Sequence, residues 1–340
     1  MEPAVLSSFI PYDASTHFPL ENLPYGVFVN PLTKESNCCT RVADTIVDLA
    51  ALEAAGLFAG AAFTAAVAGK KPLFAQPTLN AFMSHGKELW HEVRVTLQQL
   101  FSKDTATLRD NDALKEKALF KAEGVMMRMP VFIRDYTDFY SSYQHAFNIG
   151  SMVRGPDNAI QPNWKHLPVG YHGRASSIVL SGTPLRRPSG QVSADKVNPS
   201  WSACKRLDFE LEVGAFVGVG NELGEPVRVK EAADHLFGLV LLNDWSARDL
   251  QVWEYVPLGP FNAKNFGSSI SPWIVTMEAL APFKIALPEQ EPKPLPYLDE
   301  GADHYSYNIE LDVAIQTKGS SDPFTVATSN FKYLHWSVNQ

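Results

Sequence analysis

The feature that most constrains this chain is the run Leu207-Asp208-Phe209-Glu210-Leu211-Glu212-Val213, in which apolar and acidic residues alternate without interruption. Successive side chains of a strand face opposite sides, so Leu207, Phe209, Leu211 and Val213 share one face and Asp208, Glu210 and Glu212 the other. Carboxylates crowded on one face repel, and each resists ionisation unless a cation lies among them. Such a strand either turns its acidic face to solvent, as antiparallel sheets commonly do, or contributes ligands to a metal. The run alone favours the solvated face. The metal reading needs partners from elsewhere in the chain.

A partner is Asp244, which closely follows the apolar run Leu236–Leu242 and so marks the end of a buried strand. Buried aspartates are rare unless paired or metal-bound. Read as a helix, the next segment puts Asp244, Arg248, Gln251 and Tyr255 on one face. An N-cap aspartate with an i,i+4 ion pair accounts for Asp244 and Arg248, but leaves Gln251 and Tyr255 without a role. Lys264 stands in the mostly uncharged loop Pro260–Ser268. It is either a surface lysine or the group that offsets surplus carboxylate charge and stabilises a developing enolate. Among nine histidines, two have distinctive neighbours. His145 ends the block Asp138–His145, rich in hydroxyl and amide side chains, and is a candidate general base. His172 lies in the glycine-flanked turn Gly170–Arg174, which turn chemistry explains.

The whole chain sets wider limits. Its 340 residues suggest about two domains, and a hydrophobic content of 45% supplies an ample core. A net charge of −8 argues against a nucleic-acid binder. Cys38 and Cys39 are adjacent and Cys204 stands alone, so no disulfide framework is expected and the compartment is a reducing one. The first residues have no signal-peptide pattern. The uncharged stretch Ala54–Gly69 is too short and too rich in Ala and Gly to span a membrane, and reads as a buried helix with its loop. A cytoplasmic protein with no membrane partner is expected.

Alternation predicts strands at Tyr25–Asn30 and Arg41–Asp48, and helical spacing predicts one helix over Leu79–Phe101 with Thr78 as N-cap. The charged segment Ser102–Lys121 reads as a surface helix leading into a linker near Arg128. Further strands are expected at Ser176–Ser181, Leu207–Val217, Leu236–Asn243, Trp273–Met277 and Asn308–Thr317. Ser329–Gln340 starts a new aromatic element that no closing strand follows, which reads as a chain cut short.

The segments Asp135–Asn148, Asn163–Ser177, Leu207–Glu212, Asn243–Gly259 and Lys264–Trp273 together resemble the fumarylacetoacetase family. Asn22–Phe28 and Gln76–Asn80 are similar to the same family, and the likeness extends over essentially the whole chain. The resemblance implies a mixed, β-rich α+β fold: an N-terminal SH3-like small β-barrel over residues 1–128 and a C-terminal mixed β-roll over 129–340. It also implies a homodimer. Carried over residue by residue, it places a divalent metal on Asp138, Glu210, Glu212 and Asp244, with Lys264 and the Ser268 hydroxyl in the same site. His145 matches the general base, Arg248 a residue supporting the transition state, and Gln251 and Lys264 its companions there. Tyr140, Arg154, Tyr171, Gln251 and Tyr255 match positions that contact substrate. Hard oxygen ligands favour Mg²⁺ or Ca²⁺ over zinc.

The implied reaction is hydrolysis of the carbon–carbon bond of a 1,3-diketo acid, fumarylacetoacetate, to fumarate and acetoacetate at the end of tyrosine breakdown. The family has threonine where this chain has Ser268. It also continues past the Ser329–Gln340 segment with a glutamate that orients the histidine, a substrate-binding threonine and the last strands of the roll, so the roll is expected to be incomplete here. Two other readings follow from the same residues: an acylpyruvate hydrolase of the wider superfamily, or a non-catalytic, metal-binding subunit.

Overall fold

The computed structural model describes residues 6–340. The first half is built on an antiparallel five-stranded sheet in the order Leu119–Lys121, Thr45–Asp48, Ser36–Val42, Tyr25–Val29, Met127–Arg128. The expected strand at Tyr25 is found. The one expected over Arg41–Asp48 is instead a hairpin: Val42 pairs with Thr45 and Arg41 with Ile46 around a turn in which Ala43 takes φ 49°. Alternation cannot register so tight a turn, because its two residues simply continue the count. Asp48 then links sheet to helix. Its carboxylate accepts from the Asn30 and Asn37 amides and from the backbone N–H groups of Ala50 and Ala51, capping Leu49–Ala54.

One helical expectation is met by a shorter helix and two are corrected. The stretch Ala54–Gly69 holds the end of Leu49–Ala54 and a second helix, Ala61–Val67. Gly60 offers that second helix no side-chain cap, and Glu92 supplies one, accepting from the Ala62 and Phe63 N–H groups at 3.0 and 2.8 Å. The predicted helix Leu79–Phe101 is divided into Asn80–Met83 and Lys87–Phe101, and Thr78 caps neither. Gly86 at φ +86° breaks it, since the apolar spacing runs on through a residue whose backbone leaves the right-handed region. Ser102–Lys121 becomes two short helices, Ala106–Arg109 and Asp112–Ala118, followed directly by the edge strand Leu119–Lys121.

Helix Lys87–Phe101 buries Leu89, Trp90, Val93, Leu97, Leu100 and Phe101. Aromatic rings carry this core into the second half of the chain: Trp90 and Phe82 both meet Phe237 edge-on, at 5.1 and 5.7 Å between centroids. Tyr25 and Ile274 exchange backbone hydrogen bonds of 2.9 and 2.8 Å, tying the two sheets together.

The second five-stranded sheet centres on Leu236–Asp244, the expected strand extended by one residue. Leu211–Val217 lies along one side of it, and Ser268–Ile270 and Val275–Thr276 along the other. Ile178–Leu180 adds in parallel to Ser268–Ile270. The strands expected at Ser176–Ser181, Trp273–Met277 and Asn308–Thr317 are present in shorter form, the last as Glu310–Ile315 paired with Phe324–Asn330. The continuous strand expected over Leu207–Val217 is two pieces. Leu207–Asp208 pairs with Ser246–Ala247, the chain breaks at Phe209 and Glu210, and Leu211–Val217 joins the main sheet.

The Ser329–Gln340 segment is not a loose apolar element. Asn330 completes a strand, Trp336 is fully buried and donates to the Trp164 carbonyl at 3.0 Å, and the Gln340 amide donates to Leu298 and Gln290. The architecture is a mixed α/β fold with several sheets. Among the described residues, no helix is long and apolar enough to cross a membrane.

Candidate metal and active site

The break at Phe209 and Glu210 decides how the acidic run is used. Asp208, Glu210 and Glu212 no longer share one flat face, and each carboxyl meets different partners. Glu212 stands opposite Leu242 in the main sheet. Asp244 ends the central strand opposite Ser268, whose hydroxyl donates to it at 3.1 Å. Asp138 occupies the short strand Thr137–Phe139, directly across from Tyr171 of Gly170–His172. One oxygen from each of Asp138, Glu212 and Asp244 lies within 4.8 Å of the others.

Glu210, buried beside this trio, turns to the cations. Its Oε2 receives Lys264 Nζ and, at 3.0 Å, the Ser246 hydroxyl. Its Oε1 receives Arg248 Nη2 at 2.8 Å and His145 Nε2 at 3.0 Å. Lys264 also pairs with Asp244. Arg248 is held on three sides, by Glu210, by Asp208 at 2.8 Å and by the Gln251 amide oxygen at 2.9 Å. Arg248 opens the helix Arg248–Glu254, so Asp244 lies outside that helix and the i,i+4 pair considered above does not form. Two local devices set the remaining side chains. Ser142 caps Tyr143–Arg154 by accepting from the His145 N–H, which fixes the first turn. Glu254 accepts from the Phe261 and Ala263 N–H groups at 2.9 and 2.7 Å, anchoring the turn that carries Lys264.

The electrostatics follow from this arrangement. Burial, with the charge of Asp244, pushes the Asp138 carboxyl up to about 7 despite Lys264 nearby. Burial, then Asp138 and Asp244, pushes Glu212 well above the ordinary glutamate range. Burial also raises Asp244, against the pull of Lys264. Burial would raise Glu210 too, but His145, Lys264 and Arg248 overcome it and hold it well below its usual value. Lys264 is raised: burial opposes its charge, and Glu210, Asp244 and Asp138 outweigh burial.

The residues fit a divalent cation. Three hard oxygen donors converge, the four inner carboxyls outnumber the cations Lys264 and Arg248, and the buried hydroxyls of Tyr136 and Tyr171 have no hydrogen-bond partner. Of the other expected contacts, Tyr171 flanks Asp138 through its register, and Gln251 through Arg248. Tyr255 closes the C-terminal end of Arg248–Glu254. Arg154 is committed to the carbonyls of Asn158 and Ala159 at the end of its helix, and Tyr140 packs edge-on against Trp164. Two participants have no place in the sequence reading, Ser246, which steadies Glu210, and Tyr136; Asp208 belongs to the acidic run, but its pairing with Arg248 does not show there. The parity of Asp208 with Glu210 was visible in the sequence, and so was that of Tyr136 with Asp138.

Comparison with known proteins gives the family. Residues 21–130 match the fumarylacetoacetase N-terminal family and 135–340 the fumarylacetoacetate hydrolase C-terminal family. The fumarylacetoacetase of Dictyostelium discoideum is 52% identical over 340 residues, spanning 99% of this chain and 78% of that protein. Those of Bos taurus and Arabidopsis thaliana are 50% and 49% identical, over 98% and 99% of this chain and 78% and 79% of theirs. The chain therefore belongs to the fumarylacetoacetase family.

Proposed function

We propose that this protein hydrolyses fumarylacetoacetate to fumarate and acetoacetate, the closing step of tyrosine and phenylalanine breakdown, at the acidic centre described above. The observation that carries the reading is the meeting of His145 and Arg248 on one carboxylate, Glu210, beside the trio Asp138, Glu212 and Asp244. Matches to enzymes of that name at about half identity support it.

In this reading Asp138, Glu212 and Asp244 hold Mg²⁺ or Ca²⁺, with Glu210, Lys264 and Ser268 completing the surroundings. Such an ion supplies positive charge for the oxygens of the diketone and of the departing enolate. The chain's own groups do the rest. His145 gives its Nε2 proton to the hydrogen bond with Glu210, which leaves the Nδ1 lone pair free. Nδ1 takes a proton from water as the oxygen adds to the substrate carbonyl, and Glu210 steadies the imidazolium that forms. When the carbon–carbon bond breaks, its electron pair passes to the acetoacetate enolate, and a proton returned to carbon completes the product. Arg248, Gln251 and Lys264 place donors and fixed charge where oxyanions develop. Tyr140, Arg154, Tyr171 and Tyr255 bind the ends of the substrate; Nε and Nη2 of Arg154 are held by the Asn158 and Ala159 carbonyls, which leaves its Nη1 for a carboxylate.

The finer features of the fold belong to the same reading: an SH3-like small barrel in the first half, a mixed β-roll around the site and a homodimer. A cytoplasmic setting suits three buried, unpaired cysteines. The direct test is release of fumarate from fumarylacetoacetate by the purified protein. His145→Ala is expected to lower kcat by about 100- to 10,000-fold while calcium binding, read calorimetrically, is retained. Turnover at the parent rate in that variant would remove His145 as the base.

A further inference from the structure

Tyr136 adjoins the acidic centre and has no role so far. It precedes the strand Thr137–Phe139, and the Gly173 N–H donates to its carbonyl at 2.8 Å, so the ladder with Gly170–His172 runs on through it. Residues two apart in extended chain project to the same side, which puts Tyr136 on the side of Asp138. The ring is clamped. It packs against the main core, and a Cβ at Gly173 would come within 2.3 Å of it. The hydroxyl at its tip is buried and has no partner. A buried hydroxyl left alone carries a desolvation cost, and native structures tolerate few of these.

We propose that Tyr136 is a positioning residue of the acidic centre, its hydroxyl donating a hydrogen bond to a carboxylate oxygen of the cluster once a divalent cation orders those side chains. A carboxylate has about four lone-pair sites, so one that binds a cation can still accept from a phenol. The phenol is a reliable donor, because an ordinary tyrosine hydroxyl keeps its proton until about pH 10. Because packing already fixes the ring, little side-chain freedom is lost when the bond forms. Outer partners of this kind orient metal ligands and set affinity. The inference rests on the metal reading above.

The test is calorimetric titration of the whole protein with Ca²⁺ and with Mg²⁺, each alone, together with thermal unfolding of the cation-free protein. Tyr136→Phe keeps the ring and removes the donor. It is expected to weaken the affinity about tenfold or more, with the cation-free Tm unchanged or raised. Gly173→Ala keeps the hydroxyl but displaces the ring, and its affinity is expected to fall in the same direction. A dissociation constant within about twofold of the parent's in Tyr136→Phe, beside normal binding by the parent, overturns the role of Tyr136 and leaves the metal site standing. No saturable binding by the parent chain overturns the metal reading and this inference together.

Discussion

The aromatic core and the acidic centre are two ways of burying side chains, and they carry opposite costs. Around Phe237, the rings of Tyr25, Phe82 and Trp90 pack against one another, and the polar cost is small: the Tyr25 hydroxyl is buried without a partner, but no charge is buried with it. Around Asp244, carboxylates taken out of water are only partly repaid by Lys264, Ser268 and their neighbours. The core lowers the free energy of the folded chain. The centre raises it in the absence of a cation and holds ligands ready for one. The contrast teaches that the first region should answer to volume and the second to charge, and each expectation below tests whether they really are separate.

The largest effect is expected in the core. Phe237→Ala removes a ring with 1% exposure that bridges both halves of the chain. It should cost about 3–5 kcal/mol by chemical denaturation and leave cation stoichiometry unchanged in whatever fraction stays folded. Loss of cation binding in the folded fraction would show that the centre depends on the core. Next is Asp244→Asn, nearly equal in volume but without the charge. Cation affinity is expected to fall by about a hundredfold or more, since even an outer partner of a ligand is worth about 10- to 100-fold. Lys264 keeps Glu210, so the cation-free Tm should move little. Unchanged titration in this variant would break the assignment of Asp244 to the trio.

How much of the two regions could be read in advance differs for the same reason. The core announces itself through periodicity, because Leu89, Trp90, Val93, Leu97 and Leu100 recur at helical intervals. Even there, backbone exceptions such as Gly86 and the turn at Ala43 were invisible to a pattern that counts only side chains. The centre has no period. Asp138, Glu212 and Asp244 come from three separate strands, and what joins them is register: Asp138 against Tyr171, Glu212 against Leu242, Asp244 against Ser268. The individual carboxylates were legible, but the break at Phe209 and Glu210, which turns Glu210 toward His145 and Arg248, depends on pairing across strands far apart in sequence. Tyr136 has no signal of its own in the sequence, and its ring is packing. What sets it apart is a buried, unpartnered hydroxyl just before the strand that carries Asp138.

Acid–base linkage gives a third, smaller effect. The Asp138 carboxyl holds its proton up to about pH 7 in the folded chain, against 3.8 for an ordinary aspartate. Between those values the folded state binds a proton that the unfolded state has released. The stability of the cation-free protein should therefore fall as pH rises through this window, by at most about 1.4 kcal/mol per pH unit from this group. Added Ca²⁺ should reverse the trend, because a ligand must lose its proton to bind. Denaturation midpoints at pH 5 and pH 7, with and without the cation, measure both slopes. A cation-free protein that gains stability across that interval would mean the trio is not strained.

The smallest effect concerns Ser268, whose hydroxyl reaches Asp244 from the neighbouring strand. Among the described residues its hydroxyl is the only donor to Asp244 Oδ1, at 3.1 Å, while Lys264 serves the other oxygen. Ser268→Ala should therefore weaken cation binding by only about fivefold, the worth of a single hydrogen bond of about 1 kcal/mol. Ser268→Thr keeps the donor and adds a methyl group at a strand position paired with Ile178, where β-branched residues sit well. It should bind within about twofold of the parent if the hydroxyl is all that the centre requires of this residue. Normal binding in Ser268→Ala beside a loss in Ser268→Thr would mean that Ser268 contributes through its small volume instead, and would carry the packing logic of the core into the acidic centre.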